Sequence, residues 1–140
     1  MMMKFDLTKL WCKETCRGNM KNFWSSSKPA FGQDDVTTLL IQALHGGTII
    51  KCNANGKEYY VNNILGQLCN YTKEEFAGTV VYTDCKPVTR ESMLLDDELK
   101  HRYTLMSNRF KFAYGFDPNE CLQPTKIVDC RDTFKQKHTA

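Results

Sequence analysis

The apolar positions of "AFGQDDVTTLLIQALHGG" recur with a helical period: Val36, Leu39, Leu40, Ala43 and Leu44 stand at i, i+3, i+4, i+7 and i+8. That stripe predicts a central helix, with His45 favouring the negative end of its dipole and Gly46-Gly47 supplying a left-handed stop. Past the glycines the period falls from 3.6 to 2. "TIIKCN" and "KEYYVN" read as antiparallel strands joined through Asn55-Gly56, a dipeptide suited to a tight hairpin turn, and "GQLCNY" follows a second turn at Gly66.

Upstream, "DLTKLWCKET" predicts a helix from Asp6 or Thr8 to Thr15, with Trp11 as its anchor in the core. The stretch from Cys16 to Gly32, with Gly18, three serines and Pro29, argues against regular structure, yet its Phe23, Trp24 and Phe31 require it to be packed down. Downstream, Thr72 and Glu75 in "TKEEF" fit a capping box opening a short helix, and "TVVYT" reads as a further strand. A long helix is expected within "VTRESMLLDDELKHRYTLMSNRF", with Leu95, Leu99, Tyr103, Met106 and Phe110 on one side and a Glu98–Arg102 pair across one turn. These elements form one α+β body over residues 1–113, a central helix packed on a mainly antiparallel sheet. Residues 114–140, with Pro118, Pro124 and an apolar Ile127-Val128 patch, form an extension, either an edge strand or a loose tail.

A chain of 140 residues, 41% apolar and 25% charged, is sized for a single hydrophobic core and excludes a disordered class. Its longest apolar runs fall far below the roughly 20 residues of a membrane span. The opening "MMMKFDLTKLWCKE" carries no signal-peptide pattern, so a cytoplasmic location is expected. The charge of +3 is spread without a basic stripe, which speaks against nucleic acid as the main partner. Seven cysteines show no C-x-x-C; Cys12 and Cys16 lie one turn apart but lack further ligands at metal spacing. Buried thiols in a reducing compartment are expected, with no metal and no cofactor.

The candidate chemistry lies at the start of the central helix. Asp34 and Asp35 are adjacent, so on a helix they point about 100 degrees apart and make no catalytic carboxylate pair. An acid there either caps free N–H groups or offers a binding group to a cleft. Trp24, Tyr59, Tyr60, Asn62 and Asn70 are candidates for the aromatic faces and polar edges of such a cleft, or else belong to the core.

Taken together, "LWCKET", "PAFGQDDVTTLLIQALHGG", "EYYVN", "NYTKEEF" and "HRYTLMSNRF" resemble the YunG-like family in order, spacing and residues such as Trp11, Gly32-Gln33, Asn62 and Phe76. The likeness runs from about Leu10 to Phe110. It implies a compact papain-like fold, in which a Cys after the Gly-Gln turn is activated by the helix N-terminus and a hairpin His. At the positions where the family has its Cys, His and Asp, this sequence carries Asp34, Tyr59 and Asn70, while Gln33 takes the place of an oxyanion donor.

The resemblance therefore implies a catalytically inactive member that holds a small ligand, a metabolite or signalling nucleotide, in the old cleft. Sequestration of a signal, in the manner of phage-encoded antagonists of bacterial defence, is one version. An interaction module or inhibitor acting on a partner protein, through the tail or the loop around Trp24, is the alternative. A residual hydrolase using Asp34, Tyr59 or a displaced Cys is the third, and His45, His101 and His138 stand at unsuitable places to serve it.

Overall fold

A computed structural model describes residues 5–122. The first segment is not one helix. It makes two 3-10 turns, Leu7–Lys9 and Lys13–Thr15, because the Asp6 carboxylate accepts the Thr8 N–H and the Thr15 hydroxyl accepts the Cys12 N–H, closing each turn separately. Between them Leu10 and Trp11 drop into the core, and the Trp11 indole donates to Thr37 Oγ1 at 2.9 Å. The next stretch is more regular than its composition suggests, with a 3-10 turn over Gly18–Phe23.

The central helix, α1, spans Asp34–His45. Its flanks are buried almost all round, against β2 on one side and α3 on the other, as defined below. Gly46 ends it at φ 76 and ψ −153, an extended mirror-image backbone in place of the expected left-handed helical stop. Its N–H still satisfies the Gln42 carbonyl at 2.8 Å. His45 packs near Phe5, and burial holds its pKa below the ordinary value.

Four strands follow: β1 Thr48–Ala54, β2 Lys57–Ile64, β3 Gln67–Cys69 and β4 Tyr82–Val88. They pair antiparallel in the order β3-β2-β1-β4. The two predicted turns hold: Asn55 and Gly56 have φ 51 and 81, which matches the twist of the flanking strands. The last strand begins at Tyr82, later than expected, because the hairpin tip captures the preceding residues. Asn55 Oδ1 accepts the Val81 N–H at 2.8 Å while the Asn55 N–H goes to the Val81 carbonyl.

Alternation along the sheet separates two apolar clusters. Ile49 and Tyr60 join the larger one, with α1, Leu10, Trp11 and the apolar side of α3; Ile50, Cys52, Ala54, Tyr59 and Val61 build the smaller one with Phe76, Val80 and Tyr82.

Two further expectations are corrected. "TKEEF" makes only a 3-10 turn over Lys73–Glu75, without a capping box. Other partners take its side chains: the Thr72 hydroxyl meets Tyr59, and Glu75 accepts from the Gly32 N–H and Lys57. The long helix is broken into α2, Arg90–Met93, and α3, Asp97–Tyr114, because Asp96 turns its carboxylate to the N–H groups of Glu98 and Leu99 and starts a new helix. Leu95, in the break, is exposed, while Leu99, Tyr103, Met106 and Phe110 are buried as the stripe predicts. After α3 the chain stays on the body: Pro118 is buried in a 3-10 turn over Pro118–Cys121, and Tyr103 donates to Asn119. The Ile127-Val128 patch, expected as an edge strand or part of a loose tail, lies outside the described residues. Among those described, no helix is long and apolar enough to cross a membrane.

Candidate functional site

Gln33, Asp34 and Asp35 are all buried, and none of their buried side-chain polar atoms lacks a hydrogen-bond partner. Gln33 donates through Nε2 to the Cys12 carbonyl at 2.9 Å and accepts from the Thr15 hydroxyl at 2.7 Å. Its amide is spent inside the protein. Asp34 accepts a two-pronged contact from Arg17, at 3.0 Å from Nε and 2.8 Å from Nη2, and also the Tyr60 N–H at 2.9 Å. Asp35 accepts a second fork from Arg102, at 2.9 and 2.7 Å. The two acids thus diverge as helical geometry requires, one to β2 and the upstream loop, the other to α3.

Pure capping does not describe Asp34. Gln33 is the N-cap and makes no side-chain cap bond, while the Asp34 carboxylate ties three segments together. The fork geometry is the strong form of a carboxylate contact. Arg102 adds a bond from Nε to Glu98 at 2.7 Å and one to the Thr15 carbonyl at 3.2 Å. The Arg17 guanidinium lies 5.6 Å from the centre of the Tyr60 ring.

Burial pushes the Asp34 pKa above the ordinary carboxylate value, outweighing the attraction of Arg17, with Asp35 and Glu75 adding to the rise. Burial also works against the Arg17 charge, but the Asp34 contact more than offsets it and the guanidinium pKa is raised. A carboxyl whose folded pKa lies above its unfolded one binds its proton more tightly in the folded state. Its contribution is fully present below the unfolded pKa and is lost as pH rises through the folded pKa. Wild type should therefore gain stability relative to Asp34→Asn as pH falls from neutrality towards the ordinary carboxylate range, measured by urea unfolding at each pH. A gap that shrinks on acidification would contradict this.

Tyr59 and Asn70 are brought together. The Tyr59 hydroxyl reaches Asn70 Oδ1 at 3.2 Å, the Thr72 carbonyl at 3.1 Å and the Thr72 hydroxyl, and Asn70 Nδ2 donates to the Tyr82 hydroxyl at 2.9 Å. Tyr59 is fully buried, and burial raises its pKa far above the ordinary value, so it stays protonated. The next residue, Tyr60, faces the other side of the sheet, beneath Arg17. Asn62 donates to the Thr38 carbonyl at 3.0 Å, fastening β2 to α1. Trp24 stands apart, its indole bonded to the Pro29 carbonyl of its own loop at 3.0 Å.

Two buried thiols lie close to this region. Cys52 pairs in register with Tyr59, and Cys16 lies against Gly32. Burial pushes both pKa values up to about 11, so neither is a thiolate near neutral pH. Among the described residues, no group of three or more His, Cys, Asp or Glu is placed to hold a metal ion.

Beside the helix start lies a cavity of about 340 Å³, lined among others by Arg17, Glu58, Tyr60, Asp96, Glu98 and Arg102. Of these the sequence singles out only Tyr60 as a site candidate. The Glu98–Arg102 pair is visible in the spacing, but not that Arg102 reaches across to Asp35. Gly18 forms part of the rim, where an added Cβ would stand 3.2 Å from Glu98 Oε2.

The YunG protein family model matches residues 2–115 of this chain. The protein described as "Uncharacterized protein YunG" of Bacillus subtilis (strain 168) is 31% identical over 94 residues, which cover 67% of this chain and 76% of that relative. No solved structure matches.

Proposed function

The chain belongs to the YunG family, and on that premise we propose that it is a non-catalytic member that binds a small molecule beside its degenerate helix start. One observation carries the reading: an open cavity of about 340 Å³ adjoins a helix start whose carboxylates are already paired. The volume suits a small metabolite. On the resemblance to a papain-type site, Asp34, Tyr59 and Asn70 hold the nucleophile, base and orienting positions. None can play those parts in this environment. Asp34 is locked to Arg17, and Tyr59 is a protonated phenol whose nearest polar partners are Asn70 and Thr72. The described histidines stand elsewhere, His45 at the end of α1 and His101 within α3.

The lining also indicates the ligand's charge. Asp35, Glu58, Asp96 and Glu98 face two guanidiniums, and Arg17 and Arg102 are each engaged by a carboxylate. A neutral or cationic metabolite fits this balance better than a signalling nucleotide, whose phosphates would meet a surplus of carboxylates. The Tyr60 ring supplies one apolar wall.

Native mass spectrometry after incubation with a small-molecule extract of bacterial cells tests the proposal. Wild type should carry a discrete added mass. Gly18→Leu, which grows into the cavity towards Glu98 at a position without positive φ, should lose it while remaining folded. An unloaded wild type, or an equally loaded Gly18→Leu, would refute binding at this cavity.

A further inference from the structure

The β1–β4 pairing contains an irregularity with chemical content. Lys51 pairs with Lys86 and Asn53 with Thr83, so the single residue Cys52 on β1 faces two residues on β4, Asp84 and Cys85. This is a bulge. Asp84 takes the positive-φ conformation it requires, at φ 55, and accepts from the Asn53 side-chain amide at 3.0 Å, which holds the bulged strand in place. The extra residue shifts the register of β4 against β1 and sets Cys85 beside Cys52 across the strand pair. One member of the pair is buried in the smaller apolar cluster and the other is exposed.

We propose that Cys52 and Cys85 are a thiol modification site that closes to a cross-strand disulfide when the protein meets hydrogen peroxide. Its face of the sheet is the Tyr59 face, opposite Tyr60 and the ligand cavity, so the site is separate from the binding reading. Cys85, the accessible member, gives up its proton to water and its sulfur attacks one peroxide oxygen. The O–O bond breaks, leaving a sulfenic acid on Cys85 and a hydroxide that becomes water. Cys52 sulfur then displaces the sulfenic hydroxyl, which leaves as a second water with the Cys52 proton. One S–S bond has formed, both sulfurs are oxidised and both peroxide oxygens are reduced. The buried partner has no comparable access to oxidant, and the neighbouring thiol resolves the sulfenic acid before further oxidation.

Tryptic fragments separate this pair from the other cysteines: the peptide 52–57 carries only Cys52, and the peptide 74–90, uncut at Lys86-Pro87, carries only Cys85. The full chain, folded, is treated with hydrogen peroxide, its remaining thiols are blocked with N-ethylmaleimide, and it is digested without reductant. The expected product is peptide 52–57 joined to peptide 74–90, lighter than the two free peptides by two hydrogens and separated by dithiothreitol. It should persist in a Cys12→Ser/Cys69→Ser/Cys121→Ser variant and vanish in Cys85→Ser. Cys85 recovered as sulfinic or sulfonic acid with Cys52 still a free thiol, or Cys85 joined mainly to another cysteine, would overturn the proposal.

Discussion

Asp35→Ala should lower the unfolding free energy by about 3–5 kcal/mol, the range for removing one partner of a buried ion pair. The loss strands Arg102, whose side chain is only 3% exposed and whose remaining contacts are Glu98 and the Thr15 carbonyl. Asp34→Ala should cost less. Its partner Arg17 is 18% exposed and borders the cavity, so the freed guanidinium can recover water, although the Tyr60 N–H loses its acceptor. Urea midpoints for the two variants measure the order directly. The double variant Asp35→Leu/Arg102→Met should regain much of the loss, since a buried pair replaced by apolar groups of similar volume is often neutral. A cost below about 1 kcal/mol for Asp35→Ala, which is what a surface pair contributes, would show that this network is not buried structure.

Gly47→Ala is the second severe change, and its neighbour is the control. An alanine Cβ at Gly47 would stand 2.4 Å from the Asn63 carbonyl oxygen and 3.3 Å from its carbon, which is backbone of β2 and cannot swing aside. At Gly46 an added Cβ meets nothing within 4 Å. Both residues have positive φ, at 76 and 81, and Gly46 adds an extended ψ of −153 that other residues rarely adopt, so both variants bear backbone strain of about 1–3 kcal/mol. Only Gly47→Ala adds overpacking of about 1–3 kcal/mol, for a total of about 2–6. Thermal unfolding should show a larger drop for Gly47→Ala than for Gly46→Ala; equal drops would mean that backbone strain alone explains the pair.

The same two glycines show what the sequence makes legible. Their position after an apolar stripe announces the end of α1, but the reason for the second is a close approach between segments, which no local pattern encodes. Periodicity likewise reveals α1, the β1–β2 hairpin and the buried side of α3, because each depends on neighbours within a few residues. It misses the break at Asp96, since an aspartate within "LLDDELK" is as acceptable to a continuous amphipathic helix as to a cap. It misplaces β4, because the side chain of Asn55 claims Val81 from 26 positions away.

The site follows the same rule. Asp34, Gln33, Tyr59 and Asn70 are visible through the family resemblance, and the structure does join Tyr59 to Asn70. The meaning of Asp34 is not visible, because it is set by Arg17, 17 positions upstream, and that of Asp35 by Arg102, 67 positions downstream. A carboxylate at a helix start reads locally as a cap or a ligand group. Here, distant guanidiniums engage both carboxylates, and Asp35 with its partner Arg102 lines the neighbouring cavity.

Binding beside the paired helix start, in the cavity over Tyr60, is tested most directly by an amide chemical-shift map. Isotope-labelled protein is titrated with the small-molecule fraction of a bacterial extract. Shifts should concentrate at Gly18, Asn19, Glu58 and Tyr60, which line that cavity. Shifts concentrated instead around Gly46, Thr48 and Val88, at the cavity of about 490 Å³ on the other end of α1, or no shifts at all, would contradict it.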